Sequence, residues 1–179
     1  MKIRTYQADA INMTKQALAD FDRVIAAIPT GGGKSTTYAR FTQICIRNNK
    51  RVWFVVHKRE LVQQFADRLK DQFGIPSGII MSKVKGYPRR LVQVISIQTV
   101  RNRKGLIAPD VIIIDECHHA TAKSYVSLIE KYPKAKIIGL TATPFRTGGK
   151  PLGNIFQKIV QPIKIRELIE QKYLVETKV

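Results

Sequence analysis

Cysteine is scarce in this chain: of 179 residues only Cys45 and Cys117 carry a thiol, far apart and outside any CxxC pair. That excludes a disulfide framework, offers no zinc-site spacing, and fits a reducing, cytoplasmic compartment. Long apolar runs are missing as well. The longest, such as Val111–Ile114, are strand-sized, and the N-terminal stretch carries Asp9, Asp20 and Asp22 in an amphipathic pattern. Neither a membrane span nor a signal peptide is expected. The sequence also lacks internal repeats, low-complexity tracts and Ser/Gly linkers.

Acidic side chains are few: 13 Asp and Glu stand against 31 Lys and Arg, for a net charge of +18. With 44% hydrophobic and 25% charged residues, the composition is that of a globular protein, and the length suits one well-cored α/β domain. The basic surplus is concentrated. Residues 29–105 hold 16 basic and 3 acidic side chains, whereas 106–145 hold four of each. A polyanionic partner is the first expectation. Charge alone does not separate DNA from RNA or an acidic membrane, and a basic surface also aids solubility.

Ala8, Ile11, Leu18 and Phe21 fall on one helical face, as do Leu61, Val62, Phe65, Leu69 and Phe73. Between such segments lie short β-branched runs at 24–28, 52–56, 92–97, 111–114 and 137–140, without clean alternation. Strands buried on both faces read this way, so the pattern predicts a mostly parallel sheet with helices on both faces, built from right-handed βαβ crossovers. Ligands of such a sheet sit at the carboxyl ends of its strands. The core is expected to run to about residue 145. A Gly-, Pro- and base-rich loop over 146–153, a strand near 156–160 and a helix near 165–171 follow. The stop at Val179 has no cap or polar tail and looks like a cut.

Two segments carry chemistry. Pro29-Thr30-Gly31-Gly32-Gly33-Lys34-Ser35-Thr36 follows a predicted strand and opens a predicted helix. Glycines let backbone N–H groups converge on phosphates, Lys34 reaches the β and γ phosphates, and the Ser35 hydroxyl can ligate Mg²⁺. Ile28 stands where the strict phosphate-loop pattern has its first Gly. Val111-Ile-Ile-Ile-Asp115-Glu116-Cys117-His118 ends an apolar strand in two carboxylates. Asp115 is expected to hold the metal and Glu116 to polarise the attacking water.

These two motifs, with Thr141-Ala142-Thr143-Pro144, resemble motifs I, II and III of superfamily 2 helicases and translocases, in the order and spacing of their first RecA-like motor domain. The D-E-C-H-H-A form is most similar to the DNA-directed branch of type III restriction translocase subunits and bacterial or phage repair helicases. Arg4-Thr5-Tyr6-Gln7 resembles that family's R-x-Y-Q element, which implies ATP-selecting roles for Arg4 and Gln7. Residues 55–61 are similar to motif Ia, which makes Arg59 a backbone-phosphate ligand. Ser96-Ile97-Gln98-Thr99 resembles a later nucleic-acid motif, with Gln98 and Thr99 as contacts. The basic segment 83–90 is a further candidate contact loop, not separable from a turn.

The resemblance implies the RecA-like P-loop motor domain of a helicase or translocase that uses ATP and Mg²⁺, grips nucleic acid (DNA rather than RNA), and works in the cytoplasm of a bacterium or a phage-infected host. The P-loop residues are Thr30, Gly31, Gly32, Gly33, Lys34, Ser35 and Thr36, with Ser35 and Asp115 on the metal and Lys34, Asp115 and Glu116 catalytic. It also implies that a second RecA-like domain, which would supply an arginine finger, lies outside this chain. A finger is worth about 10³ to 10⁵ in rate, so the piece alone should hydrolyse ATP poorly. His118 is implied to couple motif II to Thr141 and Thr143. Cys117 is expected to be packed and His119 simply exposed, because with His118 and His57 they match no known zinc spacing. Two alternatives stay open: an RNA helicase domain, and a nucleic-acid-binding P-loop module without turnover.

Overall fold

The structure is a computed structural model that describes residues 3–81, 89–100, 103, 105–120, 122–143 and 152–174. Seven strands form one sheet: β1 (Arg23–Ala27), β2 (Val52–Val56), β3 (Ser77–Ile80), β4 (Val92–Ser96), β5 (Val111–Ile114), β6 (Lys136–Thr141) and β7 (Lys158–Val160). Helices α1 (Thr5–Asp20), α2 (Lys34–Arg47), α3 (Glu60–Phe73), α4 (Ile97–Val100), α5 (Lys123–Lys131) and α6 (Ile165–Glu170) run between and around them. The spatial order is β3-β4-β2-β5-β6-β1-β7, and every pairing is parallel. This is the α/β, RecA-like architecture that the strand pattern and motifs imply.

Both faces of the sheet are covered, which explains the missing alternation. Val52, Phe54 and Val56 of β2 enter one core cluster with α1, α2 and α3, while Trp53 and Val55 enter the other with α4 and α5. In β5, Val111 and Ile113 face the first cluster and Ile112 and Ile114 the second. A period of two persists in these strands, but hydropathy cannot display it because neither face meets water.

The structure differs from the sequence reading at several points. β3 was not expected: Ser-Gly-Ile-Ile is short, holds a glycine, and is recruited as an edge by pairing with β4. In α1 the buried stripe is Tyr6, Gln7, Ala10, Ile11, Thr14 and Ala17, and Phe21 lies beyond the helix end. Thr14 belongs to that stripe because its hydroxyl pairs with the buried Tyr38 hydroxyl at 2.8 Å. In α3, Leu61 is 41% exposed, so the buried line is Val62, Ala66 and Leu69. Of the candidate loop 83–90, residues 83–88 lie outside the described residues. Arg90 donates through Nη1 to Ser77 O at 2.6 Å, tying β3 to the start of β4. Pro144 and the loop residues 146–151 are also outside the described residues.

Candidate active site

In an all-parallel sheet the carboxyl ends lie along one edge. Following the strand order, that edge carries in turn the residues after β4 (97–99), β2 (57–59), β5 (115–119), β6 (141–143) and β1 (28–34). The two carboxylates are therefore one strand removed from the phosphate loop, with β6 and its buried Thr141 in between. The Ile28 amide donates to Thr141 O at 3.1 Å, which binds the start of the loop to β6.

The loop turns back on itself through Gly32 N–H donating to Pro29 O at 3.0 Å. Gly33 has φ +77° and immediately precedes α2. A Cβ there would lie 2.5 Å from Gln7 Nε2, so both conformation and space demand glycine. The first amides of α2, from Lys34 onward, have no partner within the helix and point out of its positive end. Lys34, Ser35 and Thr36 are each half-buried there. Loop and helix together form an anion cradle.

The N-terminal segment supports the cradle from outside. The Tyr6 hydroxyl donates to Gly32 O at 2.8 Å, and Gln7 Nε2 approaches the same carbonyl at 3.5 Å. Gln7 Oε1 accepts from the Arg4 amide at 3.0 Å, closing the start of α1. Arg4 Nη1 donates to the Tyr6 hydroxyl at 3.2 Å, and its guanidinium lies 4.1 Å from the centre of the Tyr173 ring. Tyr6, Ile163 and Leu168 form a small core with Leu174 beside the loop. The sequence reading missed Tyr6, Leu168, Tyr173 and Leu174. Only Tyr6 had a local signal, as the aromatic next to Gln7; the other three are distant in sequence and join through the fold.

Asp115 closes β5, its amide donating to Val55 O at 3.0 Å. Burial raises its carboxyl above the ordinary value of 3.8, with the Glu116 charge adding to the effect, while the Glu116 amide and the positive charges of Lys34 and Arg68 oppose it. Glu116 has φ +49° and ψ +55°, a left-handed conformation uncommon for a non-glycine residue, and it turns the chain into a single 3₁₀ turn over Cys117–His119. Its Oε2 lies 3.2 Å from His118 Nδ1. Cys117 is fully buried, its thiol pushed up to about 12 by burial, and it packs where a Cβ on Gly139 would stand.

The Asp115 carboxylate and the Ser35 hydroxyl are hard oxygen donors, the chemistry a divalent cation such as Mg²⁺ accepts. Thr141 Oγ1 donates to Thr143 O and accepts from the Thr143 amide, both at 3.1 Å, which fixes the turn after β6. Arg59 is exposed and precedes α3, whose first turn carries Glu60. Gln98 is exposed and Thr99 half-buried in α4, one strand away from Arg59. His119 is not merely exposed: its ring stacks on His57 with centroids 4.5 Å apart and planes 15° apart.

A parallel sheet with a glycine cradle at one strand end and paired carboxylates two strands away defines a RecA-like ATPase motor domain of the superfamily 2 helicase class. The family model "Type III restriction enzyme, res subunit" matches residues 1–146, and the chain belongs to that family. It is 32% identical over 196 residues to the Type I restriction enzyme EcoAI endonuclease subunit of Escherichia coli, covering 98% of this chain and 24% of that protein. It is 28% identical over 185 residues to the DNA 3'-5' translocase XPB2 of Sulfurisphaera tokodaii, covering 100% of this chain and 39% of the relative. The UvsW helicase of bacteriophage T4 superposes with a TM-score of 0.73 at 23% identity, over 90% of this chain and 61% of that one. The chain thus spans well under half the length of both relatives. Among the described residues no helix is long and apolar enough to cross a membrane.

Proposed function

We propose that the chain binds Mg·ATP at the 29–36 loop, grips a nucleic-acid backbone along the neighbouring strand ends, and serves as the first half of an ATP-driven DNA helicase or translocase. The observation that carries this reading is geometric: in the all-parallel sheet, with β6 between β1 and β5, the 29–36 loop at the carboxyl end of β1 and Asp115 at the tip of β5 share one edge. Lys34 and the amides of α2 neutralise the phosphates, and Arg4 and Gln7 select the base, as the R-x-Y-Q resemblance implies. Ser35 and Asp115 would hold Mg²⁺, which would supply charge neutralisation at the nucleotide's phosphates. Glu116 accepts a proton from the attacking water, and His118, Thr141 and Thr143 relay the hydrolysis state along the edge. Arg59, Gln98 and Thr99 hold phosphates without reading bases. A second RecA-like domain supplies the finger that this chain does not contain.

Preference for DNA is supported by the similarity to XPB2, a DNA 3'-5' translocase, and by D-E-C-H in place of D-E-A-D. The test is steady-state ATP hydrolysis by this chain with and without single-stranded DNA, alongside nucleotide binding. We expect binding with negligible turnover. Lys34→Ala should weaken binding about 10- to 100-fold, the worth of one or two charge-assisted hydrogen bonds. Glu116→Gln should leave it intact. Unchanged binding in Lys34→Ala would sink the reading, and competition with a matched RNA strand decides the nucleic acid.

A further inference from the structure

Between the two halves of the site, three imidazoles form a continuous path. β2 and β5 are neighbours, and their pairing continues to Asp115, so His57 leaves β2 beside the turn that follows β5. That turn is held by His119 N–H donating to Glu116 O at 3.1 Å and Ala120 N–H to Cys117 O at 2.8 Å, with Cys117 anchored against β6. From the Glu116 carboxylate the path runs 3.2 Å to His118, then from the His118 ring to the His119 ring with centroids 4.2 Å apart, then to His57 at 4.5 Å. His57 lies two residues before Arg59, in the turn assigned to phosphate contact. All three rings are at least partly exposed, so they add little to the core.

We propose that the His57–His119 stack is a positioning device: engagement of nucleic acid by the 57–59 turn moves His57, and the stack passes that displacement through His119 and His118 to Glu116. The proposal rests on the functional reading above, since it needs Glu116 to act on water and Arg59 to meet phosphate. Two features favour it over a metal site or a structural contact. Nearly parallel rings turn faces toward each other, not the in-plane lone pairs that a shared ion requires, and among the described residues no group of three His, Cys, Asp or Glu is arranged to hold a metal. Glu116 is in a left-handed conformation that few non-glycine residues hold, the kind of backbone strain that clusters at functional and switch positions. His119 is a positioning residue, because it acts through His118 and touches neither water nor nucleotide.

The experiment uses the complete protein that carries this chain and measures ATP turnover without and with saturating single-stranded DNA, together with DNA affinity. We expect His119→Ala to lose about fivefold or more of the DNA stimulation while basal turnover and DNA affinity stay within about twofold, and His57→Ala to lose at least as much of the stimulation. His119→Phe, a flat ring without nitrogens, should restore most of the stimulation. The double alanine variant should lose no more than the worse single one, because both act on one contact. Full stimulation in both alanine variants, a phenylalanine no better than alanine, or additive losses would overturn the proposal. A wild-type protein without DNA-stimulated turnover, or one indifferent to Lys34→Ala, would instead bring down the functional reading beneath it.

Discussion

The Tyr6 hydroxyl donates a hydrogen bond to the carbonyl oxygen of Gly32 across 2.8 Å, so the first helix holds the phosphate loop by its backbone. Both groups are buried, and among the described residues Gly32 O has otherwise only the longer Gln7 contact at 3.5 Å. Tyr6→Phe keeps the ring and removes the donor. It should lower stability by about 0.5–1.5 kcal/mol and loosen nucleotide binding by a few-fold as the loop gains freedom. Denaturant midpoints and fluorescent-nucleotide titration measure the two effects, and no change in either would mean that the bond does not shape the loop.

Gly33, like Gly31, is a cradle glycine held at positive φ. Alanine at φ +77° costs about 1–2 kcal/mol, before its Cβ meets Gln7 Nε2 at 2.5 Å. Gly33→Ala should melt lower and bind nucleotide poorly, whereas Gly153→Ala, with open space around its Cβ, should match the parent in both. Equal behaviour of the two variants would refute the steric account.

Asp115 should display a conflict between stability and function. Its folded carboxyl titrates above the ordinary value because burial penalises the charge. The stability it contributes is therefore fully present below that ordinary value and lost as pH rises through the raised folded value. Asp115→Asn should melt higher than the parent near neutral pH, and the gain should vanish in acid, while Mg²⁺-dependent nucleotide binding is lost. A lower melting temperature at neutral pH would contradict the assigned cause.

Binding to a single strand should weaken steeply with salt. If about four phosphates are neutralised, log K falls with log salt at a slope of about −3, and Arg59→Ala should flatten it by about 0.7 equally for all sequences. A flat response, or a change confined to some sequences, would remove Arg59 from the interface.

Much of this molecule is legible in one dimension. Five of the seven strands are β-branched runs whose uniform hydropathy already says that both faces are covered, and a sixth, β7, lies within the stretch read as strand from 156 to 160. The phosphate loop and the carboxylate box are local words: each is a contiguous segment whose chemistry depends on its own residues and on the strand before it. Motif order then fixes the family. β3 escaped because its four residues, Ser77 to Ile80, have no pattern of their own and become a strand only by pairing with β4.

What the tertiary structure decided is adjacency. Residues 6 and 32, 4 and 173, 57 and 119 are distant along the chain, and nothing in the local composition of either partner announces the other. His119 reads as exposed because solvent exposure is inferred from neighbours in sequence, while its ring partner arrives from the end of a different strand. Sequence alone determined which chemistry the chain carries, since backbone turns and side-chain types are local properties. The order of strands in the sheet decided which chemical groups meet, because packing acts in three dimensions on residues the chain keeps apart.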